Sequence, residues 1–319
     1  MIGDASFPKL ARQVRPGLNP SEPGGYLLAV ASAAGLGAAT VAVKLGIQAH
    51  VGLVMLVEAR LVMAMFVLWA LVLGLRLQPR PAGRRLVLLL MLGAVATSPW
   101  FFSTAALAYL SAGTVALLLF TFPVWVTLLE LALRHERFRW GKFTSLALGL
   151  VGISLVIGGP PRHPSGPGVI LALAAALVLA VYLVVVAELM DGIHPLACNA
   201  VVNTGGAVTV MPIVVLSHAV ATGIPLGGWG PLLMLGLTSG VGVASYLPAL
   251  ARIGPMRLSL TGNLQPLVTV GLAALILGER LSPVQLIGGA LIIGSVALLP
   301  ITGKGRGARD ADLRRPGTP

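Results

Sequence analysis

FPVWVTLLELALRHER (residues 122–137) and QPLVTVGLAALILGER (residues 265–280) are written in one register. Pro123 matches Pro266, Glu136 matches Glu279 and Arg137 matches Arg280, each at an offset of 143 residues. The same offset carries LMLG at 90–93 onto LMLG at 233–236, and Ala106-Leu107-Ala108 onto Ala249-Leu250-Ala251. A single match is expected by accident in an apolar chain. Several in one register, a proline and a Glu-Arg pair among them, read as a duplicated unit.

Composition says where that unit resides. Of 319 residues, 56 % are hydrophobic and 10 % charged, and the mean hydropathy is +0.93. A soluble domain commits about a quarter of its residues to charge. This chain cannot cover a water-facing surface, so it reads as an all-α polytopic membrane protein. A crossing helix needs about 20 mostly apolar residues. Ten such runs occur, at 25–45, 51–75, 84–107, 113–133, 141–158, 167–188, 195–218, 229–250, 257–277 and 283–301. Gly, Pro and charge fill the gaps, as in GLRLQPRPAGRR, GGPPRHPSGPG and GIPLGGWGP. The expected division is a tail at 1–24, a first five-helix unit at 25–158, a linker at 159–166, a second unit at 167–301 and a tail at 302–319. Residues 1–23 are polar and rich in Pro and Gly, unlike a signal peptide.

The formal charge of +12 is spread over short segments between apolar runs and over the tails. That is the trace of the positive-inside rule, not of a nucleic-acid face, which needs a basic patch with stacking aromatics on a folded domain. Lys9, Arg12 and Arg15, then Arg76, Arg80, Arg84 and Arg85, then Arg134, Arg137, Arg139 and Lys142, then Arg252 and Arg257, then Lys304, Arg306, Arg309, Arg314 and Arg315 all fall on one side. Both termini are then cytoplasmic, in a bacterial inner (plasma) membrane. MDGIHP, 190–195, belongs on that side but is not basic. Five helices per unit is an odd number, so the second unit enters from the opposite face, giving inverted repeats, the plan of many secondary transporters. The charge contrast follows. RHERFRWGK surrounds the first Glu-Arg corner inside; GERLSP surrounds the second outside.

Ten spans, two five-helix units, and a proline followed thirteen residues later by Glu-Arg at the ends of helices four and nine resemble the EamA-type transporters of the drug/metabolite transporter superfamily. VAVKLG and ARLVMA, with Lys44 and Arg60, also look like the family's first repeat. The likeness covers about 25–301 and departs at GLGAAT, where the family often has an aromatic in the first helix. It implies alternating-access transport of small solutes. Members move amino acids, other metabolites or drugs.

In such a fold the site is expected at the midplane beside interrupted helices. Pro123 and Pro266 fall near the middle of spans four and nine, and Pro99 and Pro248 interrupt spans three and eight. A proline inside a helix removes one hydrogen bond and leaves a carbonyl, here Leu119 or Gly262, that needs protein, water or ligand. Each proline reads as a packing kink or as a kink at the cavity. Asn263 and Gln265 precede Pro266 and are costly at mid-membrane unless paired. They fit either helix–helix hydrogen bonding or an amino or carboxylate group of a substrate, with Phe122 and Trp125 as an apolar wall. Trp100, Tyr246 and Tyr182 are aromatics with a polar tip, suited to an amphipathic solute. Glu130 reads as an ion pair with Arg134 four residues on, or as a proton-coupling carboxylate. Arg60 reads as structural, bonded to helix-end carbonyls, and Glu58 lies on another face of span two. Glu136 and Glu279 read as helix-end caps.

Other classes find little support. The spans hold no aspartate, no HExxH and no Ser–His arrangement for an intramembrane protease, and there is no Walker motif. A single Cys198 excludes an internal disulfide and a multi-thiolate metal site. No cofactor or metal is expected. The expected partners are a small-molecule substrate and membrane lipid, with the chain a monomer or homodimer. The expected solutes are neutral and hydrophobic amino acids, exported, with drugs or other amphipathic metabolites as the alternative.

Overall fold

The computed structural model describes residues 22–78, 80–106, 108–110, 112–134, 140–157, 165–216, 224–277 and 282–303. Among these the backbone is helical with turns, and no strand is present. In chain order the helices are α1 (Glu22–Gln48), α2 (Leu53–Gly74), α3 (Gly83–Ala106), α4 (Ala112–Leu119), α5 (Phe122–Arg134), α6 (Trp140–Ile157), α7 (Gly166–Leu189), α8 (Pro195–Leu216), α9 (Trp229–Gly262), α10 (Leu264–Leu277) and α11 (Pro283–Gly303). Helix is the form that satisfies its own backbone groups where no water is available. Among the described residues seven stretches are long and apolar enough to cross a membrane, and Phe143–Ile157, Leu264–Ile276 and Pro283–Leu298 are shorter apolar helices. The chain is a multi-pass membrane protein.

The interruptions fall in the register of the sequence repeat. α4 ends at Leu119 and α5 begins at Phe122; α9 ends at Gly262 and α10 begins at Leu264. Pro123 and Pro266 therefore stand in the first turn of a new helix, where a missing N–H costs nothing. The expected kinks at these two positions are helix breaks. Pro99 and Pro248 lie inside α3 and α9. The non-helical residue in α9 is not Pro248 but Gly254, at φ 78° and ψ 168°, a backbone conformation open to glycine. It divides α9 so that 255–262 follows the break, the counterpart of α4 at the 143-residue offset.

Packing follows the same exchange. α1 packs on α9 and α10, as α7 packs on α3 and on α4 with α5. α2 packs on α8 and α9, as α8 packs on α2 and α3, and α6 packs on α11. Small residues let backbones approach. A Cβ on Gly35 would lie 2.6 Å from the Gly242 amide nitrogen, beside the hydrogen bond that Ser32 Oγ donates to the Gly242 carbonyl at 2.7 Å. A Cβ on Gly93 would collide with the Val202 carbonyl oxygen where α3 crosses α8.

Contacts also sort the helix ends. Gly25 of α1 meets Arg252 and Ile253, and an Arg85 guanidinium nitrogen donates to the Asp191 carbonyl at 2.8 Å. That end therefore gathers the starts of α1 and α3, the α7–α8 turn and the Gly254 break. MDGIHP shares an end with Arg84 and Arg85, although it carries no basic residue of its own. At the opposite end Gly228 meets Val51, and Gly168 meets Tyr109 and Leu110.

Candidate functional site

The apolar side chains close one half of the bundle. In the half bearing Arg85 and Arg252, one cluster runs through Ala29, Leu89, Phe122, Val126, Tyr182, Leu183, Cys198, Leu247 and Leu250. Tyr26, Trp69, Phe120, Trp125 and Tyr246 pack against it. In the other half the clusters belong to separate walls. One joins α1, α2 and the start of α9 through Ala42, Leu56 and Leu235. Another joins α3, α4 and α7 through Ala106, Leu110, Val115 and Ala172.

Phe122 and Trp125 of α5, Tyr182 of α7 and Tyr246 of α9 thus converge on one aromatic plug. Tyr182 lies near Tyr246 and Cys198. The tip of Phe122 lies 3.7 Å from where a Cβ on Gly262 would stand, so the two helix breaks lie side by side where α5 packs on α9. Phe120 and Phe122 stack tilted, with centroids 6.5 Å apart.

The two carboxamides part company. Asn263 is fully buried, with its Nδ2 2.6 Å from the Cβ position of Gly149 and Ser295 Oγ beside it. Its carboxamide faces α6 and α11, and neither polar atom has a hydrogen-bond partner among the described residues. Gln265 is half-buried. Its carbonyl accepts the Thr269 hydroxyl at 3.0 Å and approaches Gly37 of α1.

Glu130 is buried and is held by a polar or electrostatic contact; the Arg134 side chain, and all of Glu136, Arg137, Glu279 and Arg280, lie outside the described residues. Among the described residues no helix-end carbonyl accepts from Arg60, unlike the expectation. Its guanidinium carbon stands 4.9 Å over the ring of Trp100. Glu58 is buried, and neither carboxylate oxygen has a partner among the described residues. Trp100 is 50 % exposed and stands outside the aromatic plug. The Arg60–Trp100 pairing was not legible beforehand, because it joins two helices that pack on α8 and hardly on each other. A separate shallow groove between α1 and α9, lined by Ala31, Ala34, Gly35, Leu237, Thr238 and Val241, is almost wholly apolar. Among the described residues no group of His, Cys, Asp and Glu is arranged to hold a metal.

A multi-pass helical membrane protein whose paired interrupted helices meet at its centre is the class that the fold and these residues define. The model of the EamA-like transporter family matches residues 23–158 and again 166–300. The chain belongs to the EamA-like transporter family. A probable terminal-alkyne amino-acid exporter of Streptantibioticus cattleyicolor is 29 % identical over 199 residues, 61 % of this chain. The chain spans 66 % of that relative's length. A chain of a solved crystal structure superposes with a TM-score of 0.71 over 88 % of this chain and 98 % of its own. At 18 % identity that likeness speaks for the fold alone.

Proposed function

We propose that this protein is a secondary transporter that exports neutral and hydrophobic amino acids by alternating access between two inverted five-helix repeats, ten spans in all. The observation that carries this reading is the approach of Phe122 to Gly262, the ring tip 3.7 Å from where a Cβ on Gly262 would stand. It joins two helix breaks that are equivalent in the repeat, where unpaired backbone groups and movable half-helices meet. In the proposed arrangement α4 with α5 forms one span, α9 supplies one span and the first half of the next, and α10 completes it. The described conformation is sealed by the aromatic plug toward the arginine-bearing end. By the positive-inside rule that end is cytoplasmic, and the membrane is a bacterial inner membrane with both termini inside. The opposite half then opens outward.

An amino acid suits the interior because aromatic walls take the side chain while a few polar groups fix the backbone end. The printed name of the relative points the same way. Gln265 and the hydroxyls of Tyr182 and Tyr246 are the proposed polar contacts. Asn263, turned toward Gly149, is proposed to order the break, and Glu130 remains the proposed carrier of a coupled proton. Efflux of drugs or other amphipathic metabolites is the second reading, favoured by the aromatic share of the plug. Counterflow into proteoliposomes preloaded with unlabelled amino acid separates the two. Accumulation of labelled leucine or phenylalanine that is lost in Gln265→Leu supports export of amino acids. Flat traces for all neutral amino acids, with transport of an amphipathic drug, support the second.

A further inference from the structure

We infer that Arg60 and Trp100 form a carboxylate-binding site, so that the transported solute is an amphipathic acid or zwitterion whose carboxylate docks on Arg60 with its apolar body along Trp100. The inference rests on the transporter reading and adds to it the ionic group that the solute must carry.

Arg60 lies seven residues into α2, about 10 Å along its axis. A charge at that depth is costly and is turned toward protein or a water-filled space. Its helical position agrees. At 100° per residue Arg60 falls within about 40° of Leu56 and Ala64, both buried, and about 120° from the exposed Phe66. Trp100 obeys the same geometry on α3. It falls within about 20° of Leu89 and Gly93, on the packed stripe of that helix, and opposite Met91, which is 62 % exposed. Yet Trp100 keeps half its surface accessible. In the proposed site that free surface faces the space between the helices, on the side away from the aromatic plug.

The contact with Trp100 sets the guanidinium carbon 4.9 Å from the ring centroid, and a cation–π contact supplies no oxygen acceptor to the N–H donors. Among the described residues no carbonyl or carboxylate accepts from them, and Glu58, two residues away, points about 200° round the helix. A cation with unused forked donors matches a carboxylate bidentately, and the indole beside it takes an alkyl or aromatic body. Neutral or purely cationic solutes leave the donors unsatisfied.

The test is binding to the purified full-length chain in neutral detergent, by calorimetry and thermal shift, without reference to transport. The probes are L-leucine, 4-methylvalerate (no amine), leucinamide and isoamylamine (neither has a carboxylate). Leucine and 4-methylvalerate are expected to bind and compete. The two amines are expected to bind at least about tenfold more weakly. Arg60→Gln should weaken both acids by a similar factor, Arg60→Lys should retain part of the affinity, and Trp100→Leu should weaken the acids while sparing the preference for a carboxylate. The lysine and leucine variants keep the test decisive if Arg60→Gln fails to fold. Equal binding of acids and amines, unchanged acid binding in Arg60→Gln, or no binding of any carboxylate to folded protein would each overturn the inference. So would stabilisation by phosphatidylglycerol through Arg60 with no response to soluble acids. Binding of 4-methylvalerate but not of amino acids, lost in Arg60→Gln, upholds the site and refutes amino-acid export.

Discussion

At the residue scale, close backbone crossings are the positions least able to accept change. Gly93 sits where any side chain strikes the Val202 carbonyl, and a collision with backbone cannot be relieved by a rotamer. Gly93→Ala is expected to destabilise the protein by about 2 kcal/mol or more. Gly230, with no atom within 4 Å of its Cβ position, is the control, and Gly230→Ala should stay within about 0.5 kcal/mol. Thermal unfolding in detergent measures both, and equal midpoints for the two variants contradict the packing described. His194 offers a pH test. Its Nδ1 accepts the Leu196 N–H at 3.3 Å at the head of α8, and burial holds its pKa below the ordinary histidine value. A lowered folded value means that the contribution is present above the unfolded pKa and is lost as pH falls through the folded one. Exchange protection of the Leu196 amide, corrected for intrinsic rate, should fall as pH drops below the ordinary histidine pKa of about 6.5. Constant protection on acidification of the folded protein argues against the bond.

At the element scale, the sequence announced the broken helices but not their form. Pro123 and Pro266 marked the positions because their spacing repeats; that each opens a new helix depends on the chain choosing to end α4 and α9 first. Gly254 was readable as part of a loop, since Gly-Pro interrupts an apolar run, whereas Pro248, equally conspicuous, stays within α9. Asn263 and Gln265 looked equivalent as neighbouring carboxamides, but Asn263 caps the end of α9 whereas Gln265 lies within α10, and residues two apart in helical backbone face different ways. One meets Gly149 and the other lies by Gly37. Arg60 was visible as an intramembrane charge, yet its partner lies 40 residues on and only tertiary packing joins them. The plug itself carries a reporter, since Cys198 is the sole cysteine and is fully buried in it. N-ethylmaleimide should label Cys198 slowly in the intact protein. Phe122→Ala, which opens the contact with Gly262, should raise the rate at least about tenfold by lowering the cost of local opening. Unchanged labelling in a folded variant would show that Phe122 does not hold the seal.

At the scale of the whole molecule, the exchange of packing partners between the two halves is what makes a single site at their interface reasonable. Hydropathy and the 143-residue register made the helical membrane fold legible, because lipid leaves a chain few alternatives. The closure of one half by aromatics from α5, α7 and α9 was not legible, because it is set by long-range contacts. The proposed orientation rests on the charge distribution and can be checked apart from transport. A reporter active only in the cytoplasm, fused to the C-terminus, should be active, and one active only in the periplasm should be silent. The opposite pattern would place the plug on the outer side.

The decisive experiment is counterflow of labelled leucine and phenylalanine in proteoliposomes, comparing the intact protein with Gln265→Leu and with protein-free vesicles. Transient accumulation above the outside concentration by the intact protein, lost in the variant, is the expected result and locates transport at the meeting point of the two broken helices. Traces from folded, correctly inserted protein that match empty vesicles for every neutral amino acid would contradict amino-acid export.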